Sequence, residues 1–137
     1  MNPIKSENSQ TTIISIPSKE KSIVRKYNPF DGKLYIPSKE GAYLVDKDSI
    51  VRLEASGNYT TIYLNNGAQH LVSKTMKKIV EKLPDTIFFK IHKSHVVNLS
   101  MLTFVGNSKV EIEGKIQLPL SRAVKSKLQD LLNDIKY

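Results

Sequence analysis

From Leu34 onward, short strand-like runs alternate with turn signals at close spacing, which restricts the chain to an all-β sandwich or barrel. Leu34-Tyr35-Ile36 runs into Pro37, and Ala42-Tyr43-Leu44-Val45 follows Gly41. Ile50-Val51-Arg52-Leu53-Glu54-Ala55 alternates apolar and polar residues, and the run from Tyr59 to Leu64 is rich in β-branched and aromatic ones. Asn65-Asn66-Gly67 then supplies a hairpin turn, because Asn-Gly adopts positive φ readily. The run from Ala68 to Val72 returns from it. A second clear hairpin joins Lys109–Glu113 to Lys115–Leu120 through Gly114. The expected fold is mostly β, with antiparallel sheets in a sandwich and two short amphipathic helices.

The helices break the β pattern in two places. Ser73 is the expected N-cap of a helix from Lys74 to Leu83, with Met76, Ile79, Val80 and Leu83 on one face and Pro84 ending it. Its opposite face carries Lys74, Lys77, Lys78 and Lys82. Ser121 caps the second, which aligns Val124, Leu128, Leu131, Leu132 and Ile135 in one stripe. Burying such a stripe contributes roughly 1.5–3 kcal/mol per large side chain, enough to dock it. Both helices are therefore expected to pack on the sheet, and neither reads as a free recognition helix.

Residues 1–29 read as an N-terminal arm or linker dominated by Asn, Ser, Gln, Thr and Lys, and residues 30–137 as the folded domain. The arm's strand-like piece is Thr12-Ile13-Ile14-Ser15-Ile16. Ile16-Pro17-Ser18-Lys19-Glu20 is echoed by Ile36-Pro37-Ser38-Lys39-Glu40, too short a match to establish a repeat architecture. There is no cysteine, which excludes disulfides and thiolate metal sites. No apolar run approaches the roughly 20 residues needed to span a bilayer, and the first ten residues lack a signal-peptide core. A cytoplasmic protein without a membrane partner is expected.

Charge narrows the partner. Twenty-one Lys and Arg against thirteen Asp and Glu leave +8, an electrostatic reason to approach polyanions, nucleic acid first. Within that charge, Phe88 to Leu99 is unusual: four consecutive hydrogen-bonding side chains, His92-Lys93-Ser94-His95, interrupt an apolar run. That reads as two strand anchors holding a polar turn at a surface, where recognition tends to reside. Arg122, in the first turn of the last helix, mildly opposes the helix dipole, and by itself reads either as a group with work elsewhere, such as a phosphate or a guanine edge, or as a surface arginine with no role.

Catalysis finds no support. There is no Gly-rich phosphate loop, no Gly-x-Ser-x-Gly elbow and no His-Glu-x-x-His run, so neither an enzyme nor a cofactor is expected. His92 and His95 have His-x-x-His spacing, but no cysteine or adjacent carboxylate completes a metal site. His92 serves equally well as a structural brace for its turn. Gly57-Asn58 reads by itself as a turn tolerant of left-handed geometry.

Four segments in order resemble the LytTR DNA-binding domain of bacterial transcriptional regulators. They are Ile50–Thr60, His70–Met76, Phe88–Leu99 and Leu118–Arg122, and together the resemblance spans about residues 33 to 133. The resemblance implies a sandwich whose loops, not a recognition helix, enter the major grooves of double-stranded DNA at repeated elements. Carried over by motif, it implies DNA contacts from Asn58 and Tyr59, from His92, Lys93 and Ser94, and from Arg122. Lys74, Lys77, Lys78 and Lys90 would add phosphate attraction that positions without reading sequence.

Family members commonly carry an upstream receiver domain phosphorylated on aspartate within a two-component system. This chain is accordingly read either as a stand-alone member or as a carboxy-terminal piece acting under a receiver domain or sensor kinase. A second copy on adjacent repeats is the other expected partner. Two other classes fit a small basic β domain: an RNA or single-stranded nucleic-acid module using exposed aromatics, and a protein-interaction module that has lost DNA binding.

Overall fold

The computed structural model describes residues 27–137, so the Thr12–Ile16 run and the first copy of the pentapeptide echo lie outside the described residues. Within residues 27–32, Asn28 organises a turn, its side-chain oxygen accepting the Phe30 N–H at 2.9 Å. Lys33–Tyr137 forms its own compact unit.

Strands β1 (Lys33–Ser38) and β2 (Gly41–Asp46) make a two-stranded antiparallel sheet. The central sheet has five strands, β3 (Ile50–Ser56), β4 (Tyr59–Leu64), β5 (Gln69–Val72), β6 (Phe88–His92) and β7 (His95–Asn98), in the order β5-β4-β3-β7-β6. A third sheet, β10-β9-β8, comprises β8 (Leu102–Val105), β9 (Lys109–Ile112) and β10 (Ile116–Pro119). Every pairing is antiparallel, as short connections require for all but β3–β7, which are distant in the chain. Helix α1 (Met76–Val80) links β5 to β6, and α2 (Arg122–Asn133) closes the chain.

Neighbouring residues on two strands divide the interior. Successive side chains on a strand point to opposite faces. Phe88 and Val96 accordingly join a core with Leu34, Ile36, Leu53, Ile62, Met76 and Ile79, beneath the β1–β2 hairpin and α1. Phe89, Ile91 and Val97 join a second core with Val110, Ile112, Leu118 and Leu128, beneath the third sheet and α2. Strands β6 and β7 are covered on both faces, which is why they read as near-continuous apolar runs around a polar turn.

Three local expectations need correction. Helix α1 is five residues long, not ten, and its cap is Thr75, not Ser73; the Thr75 side chain accepts the Lys78 N–H at 3.4 Å. Buried Thr60 donates its hydroxyl to the Lys74 carbonyl at 2.8 Å, holding that residue to β4 before the helix starts. Pro84 disfavours the helical conformation at Leu83, so the last turn closes early. In α2 the Ser121 cap is as expected, accepting the Ala123 N–H at 3.2 Å, but the apolar stripe is wider than its buried strip. Leu128 is buried and Val124 and Leu132 pack beside it, whereas Leu131 and Ile135 are exposed. Finally, β8 is a strand that the sequence reading lacks. Its two middle residues, Thr103 and Phe104, are exposed, so it carries no alternating apolar signal.

Candidate nucleic-acid interface

Register in the central sheet decides which turns share an end. Ser56 pairs with Tyr59, so β3 and β4 are joined by the two-residue turn Gly57-Asn58. Gly57 has φ +60°, the left-handed conformation that glycine adopts at the first central position of a type II′ hairpin. Of the two residues expected to tolerate that geometry, only Gly57 uses it. Asn58 is exposed and Tyr59 is half exposed at the tip.

His92 pairs with His95, which leaves Lys93-Ser94 as the turn between β6 and β7. The two turns are tied together: the Ala55 N–H donates to the Ser94 carbonyl at 2.9 Å. His92 Nδ1 accepts the Ser94 N–H at 3.2 Å, so this ring braces the turn from inside it. Lys93 is exposed at the apex, while His92 and Ser94 are partly covered.

The start of α2 reaches the same end. The Ser121 N–H donates to the Ile91 carbonyl at 2.7 Å, which sets exposed Arg122 beside the exit of β6. On the other side of the sheet, Val72 pairs with Thr60, and the Thr60–Lys74 hydrogen bond brings Ser73 and Lys74 to the level of Tyr59. The order along one edge is therefore Lys74, Asn58-Tyr59, Lys93-Ser94, Arg122. Four strand intervals at about 4.8 Å each give an edge of roughly 19 Å, before α2 is added.

The remaining lysines are placed differently. Lys77 and Lys90 line a groove of 630 Å³ beneath α1, with Met76, Val80, Leu83 and Val96 as its apolar floor. Lys78 is exposed on α1 itself. These three flank the edge; they are not part of its row of turns.

One cluster behind the edge escapes a linear reading of the sequence. Arg52 Nη1 meets Glu54 at 2.9 Å, and its guanidinium lies 3.7 Å over the Tyr63 ring. The signal was available: alternation puts residues 52 and 54 on one face, and register sets Tyr63 opposite Arg52. His95 pairs with Glu54 and lies 5.5 Å, ring to ring, from His92. Burial pushes the His95 pKa below 6.5 against the opposing pull of Glu54, with His92 and Arg52 adding to the lowering. Among the described residues its buried Nδ1 has no hydrogen-bond partner.

Comparison with known proteins bears on the family and the fold that present this edge. The family model of the LytTr DNA-binding domain matches residues 40–133. The heme-containing CO-sensing transcriptional regulator RcoM 2 of Paraburkholderia xenovorans is 26% identical over 106 residues, which cover 73% of this chain and 39% of that protein. An uncharacterized response regulatory protein of Vibrio cholerae is 29% identical over 93 residues, 62% of this chain and 35% of its own length. This chain thus spans about two fifths of the length of the curated relatives it matches. The solved structure of a LytTr DNA-binding domain from Bacillus cereus superimposes with a TM-score of 0.62 at 17% identity, covering 74% of this chain and 96% of that one.

Proposed function

The chain belongs to the LytTr DNA-binding domain family, and from that premise we propose that it is a transcriptional regulator reading specific sequences in double-stranded DNA. Its reading groups are Arg122, Lys93 and Asn58, with Tyr59, His92 and Ser94 shaping the turns that present them. The observation that carries this reading is the convergence of two braced hairpin turns and one helix start on a single edge. An edge of roughly 19 Å is wide enough for loops to address a major groove about 12 Å across together with its flanking backbone.

The parts suit their roles chemically. A guanidinium can offer two parallel donors to guanine O6 and N7, worth roughly 1–3 kcal/mol of base discrimination. Lys93 can reach a phosphate or a purine acceptor. Asn58 offers both a donor and an acceptor, the pair that adenine N7 and N6 require. Lys74, Lys77, Lys78 and Lys90 add salt-sensitive attraction to phosphates. A single-strand platform needs stacked aromatics, yet Phe88 is buried and Phe89 half-buried, leaving Tyr59 as the aromatic of this edge. No helix among the described residues is long and apolar enough to cross a membrane. We place the protein in the cytoplasm, binding repeated elements with two copies side by side, under whatever input domain or kinase governs it.

The test is selection of binding sites from a random duplex pool, followed by titration of the selected and a scrambled duplex at rising salt. A recurring motif that survives salt able to strip the scrambled duplex supports the reading. Equal binding of both, lost together at moderate salt, would reduce the site to a basic face.

A further inference from the structure

Asn28, Asn66 and Asn98 each hold a bend of the chain by accepting the backbone N–H two residues further on. The donors are Phe30 at 2.9 Å, Ala68 at 2.9 Å and Ser100 at 3.0 Å. At the β6–β7 turn the same task falls to a histidine: His92 Nδ1 accepts the Ser94 N–H at 3.2 Å. An amide oxygen accepts at every pH, but an imidazole nitrogen does not. To accept at Nδ1 the ring must be neutral, with its proton on Nε2. A charged ring carries a proton on both nitrogens, so two donors would face each other across the turn and the brace is lost.

The consequence is local. The Ser94 carbonyl still accepts the Ala55 N–H at 2.9 Å, so a turn without its inner brace stays tethered to β3 and is loosened, not unfolded. Charged groups reach this corner from each neighbouring element. Lys90 and Lys93 come from β6 and its turn, Arg52 and Glu54 from β3 behind His95, and Arg122 from the start of α2. Glu54 is the acid of this set, and Arg52 already holds it at 2.9 Å. The His95 ring, 5.5 Å from that of His92, offers no counter-charge either. A proton on His92 therefore adds a cation to a cationic corner, and its compensation comes from the phosphates of any bound duplex. Attraction and reading then part company: the charge favours every duplex, while the loosened turn gives up the preferred one.

We propose that His92 is a positioning residue that makes sequence discrimination at this edge depend on protonation: the neutral ring holds Lys93 where it reads, and the charged ring releases it while general attraction to DNA persists. This rests on the DNA-reading proposal above, and deepens it. Discrimination is then full at the alkaline end, where the ring is neutral, and declines as pH falls.

The experiment titrates the full chain with selected and scrambled duplexes from about pH 8 to about pH 5, the range in which an imidazole changes charge. The ratio of the two affinities is expected to fall roughly three- to tenfold toward acid, the worth of one hydrogen bond, while binding to the scrambled duplex holds or rises. His92→Asn places an acceptor that does not titrate two residues before the same N–H, so its ratio should stay level across the range. His95→Gln retains the brace and should retain the fall. A wild-type ratio that is constant with pH, a fall that His92→Asn shares, or one that His95→Gln abolishes overturns the proposal.

A second readout separates failure of this inference from failure of the DNA-reading proposal. In the free chain the Ser94 amide resonance should shift across the same pH range in wild type and move far less in His92→Asn. An amide that does not move overturns the switch whatever the duplexes do. If no duplex is preferred at any pH while the amide titrates with His92, the DNA-reading proposal is what falls, and the acid-sensitive brace is upheld.

Discussion

At the scale of single residues, the edge separates groups that read from groups that attract. Arg122→Ala should weaken the selected duplex and relax its preference at one base pair, a loss of roughly 1–3 kcal/mol. Lys77→Ala, beside the α1 groove, should weaken selected and scrambled duplexes alike and reduce the salt slope by about 0.9. Binding titrations at several salt concentrations distinguish the two. An Arg122→Ala that loses both duplexes equally would make Arg122 a phosphate contact. His95 carries a different prediction. In the unfolded chain it takes up a proton near 6.5, while burial holds the folded value lower. Between those values the unfolded state binds more protons, so stability is greatest above pH 6.5 and falls as pH drops through that window. Thermal melts from pH 8 to 5 should show this fall, and His95→Gln should lessen it; an unchanged pH profile would exclude the residue as its source. How much of this was legible varied by residue. The polar interruption His92–His95 was visible because it breaks strand periodicity, but whether His92 reads or braces depended on an Nδ1 hydrogen bond to a residue two positions on. That geometry belongs to the folded turn, beside a register shift between Lys90 and His92 that no linear pattern announces.

At the scale of elements, legibility followed the locality of the cause. Asn66-Gly67 and Gly114-Lys115 made their hairpins because the required backbone angles are set by the turn residues themselves: Gly67, Gly114 and Lys115 all have positive φ. The Ser121 cap was equally local. The start of α1 was not, because a tertiary contact from Thr60, fourteen residues earlier, fixes Lys74 and moves the cap to Thr75. Division of the strands among three sheets was hidden for the same reason: it depends on long-range pairing, not on any segment's own pattern. The two caps also differ in worth. Ser121→Ala should cost about 1 kcal/mol, because Ser121 Oγ accepts at 3.2 Å at the head of a twelve-residue helix that buries Leu128. Thr75→Ala should cost less, since its 3.4 Å contact heads a single short turn. Urea denaturation ranks them, and the reverse order would mean that α1, not α2, holds the edge together. Because the Ser121 N–H still reaches Ile91 after the change, Ser121→Ala should leave the β6–β7 turn in place while loosening Arg122.

At the scale of the whole molecule, the question is where recognition ends. Both cores, the ten strands of the described residues and the row from Lys74 to Arg122 fall within Lys33–Tyr137. Residues 1–29 contribute five cations against two acids, over half of their charged groups, and none of the reading groups proposed above. An arm of that kind adds counterion release without sequence information. A chain beginning at residue 30 should therefore melt cooperatively and bind selected and scrambled duplexes more weakly by the same factor, with their ratio preserved. Affinity should fall most at low salt, where unscreened charge counts most. If the ratio itself collapses, the arm reads sequence and the boundary between residues 29 and 30 is misplaced. If the shortened chain fails to melt cooperatively, the arm belongs to the fold. The ratio, and not the affinity, is the decisive quantity, because a chain of net +8 binds DNA of any sequence to some degree. Only the preference between duplexes reports on two turns and a helix start held at one edge.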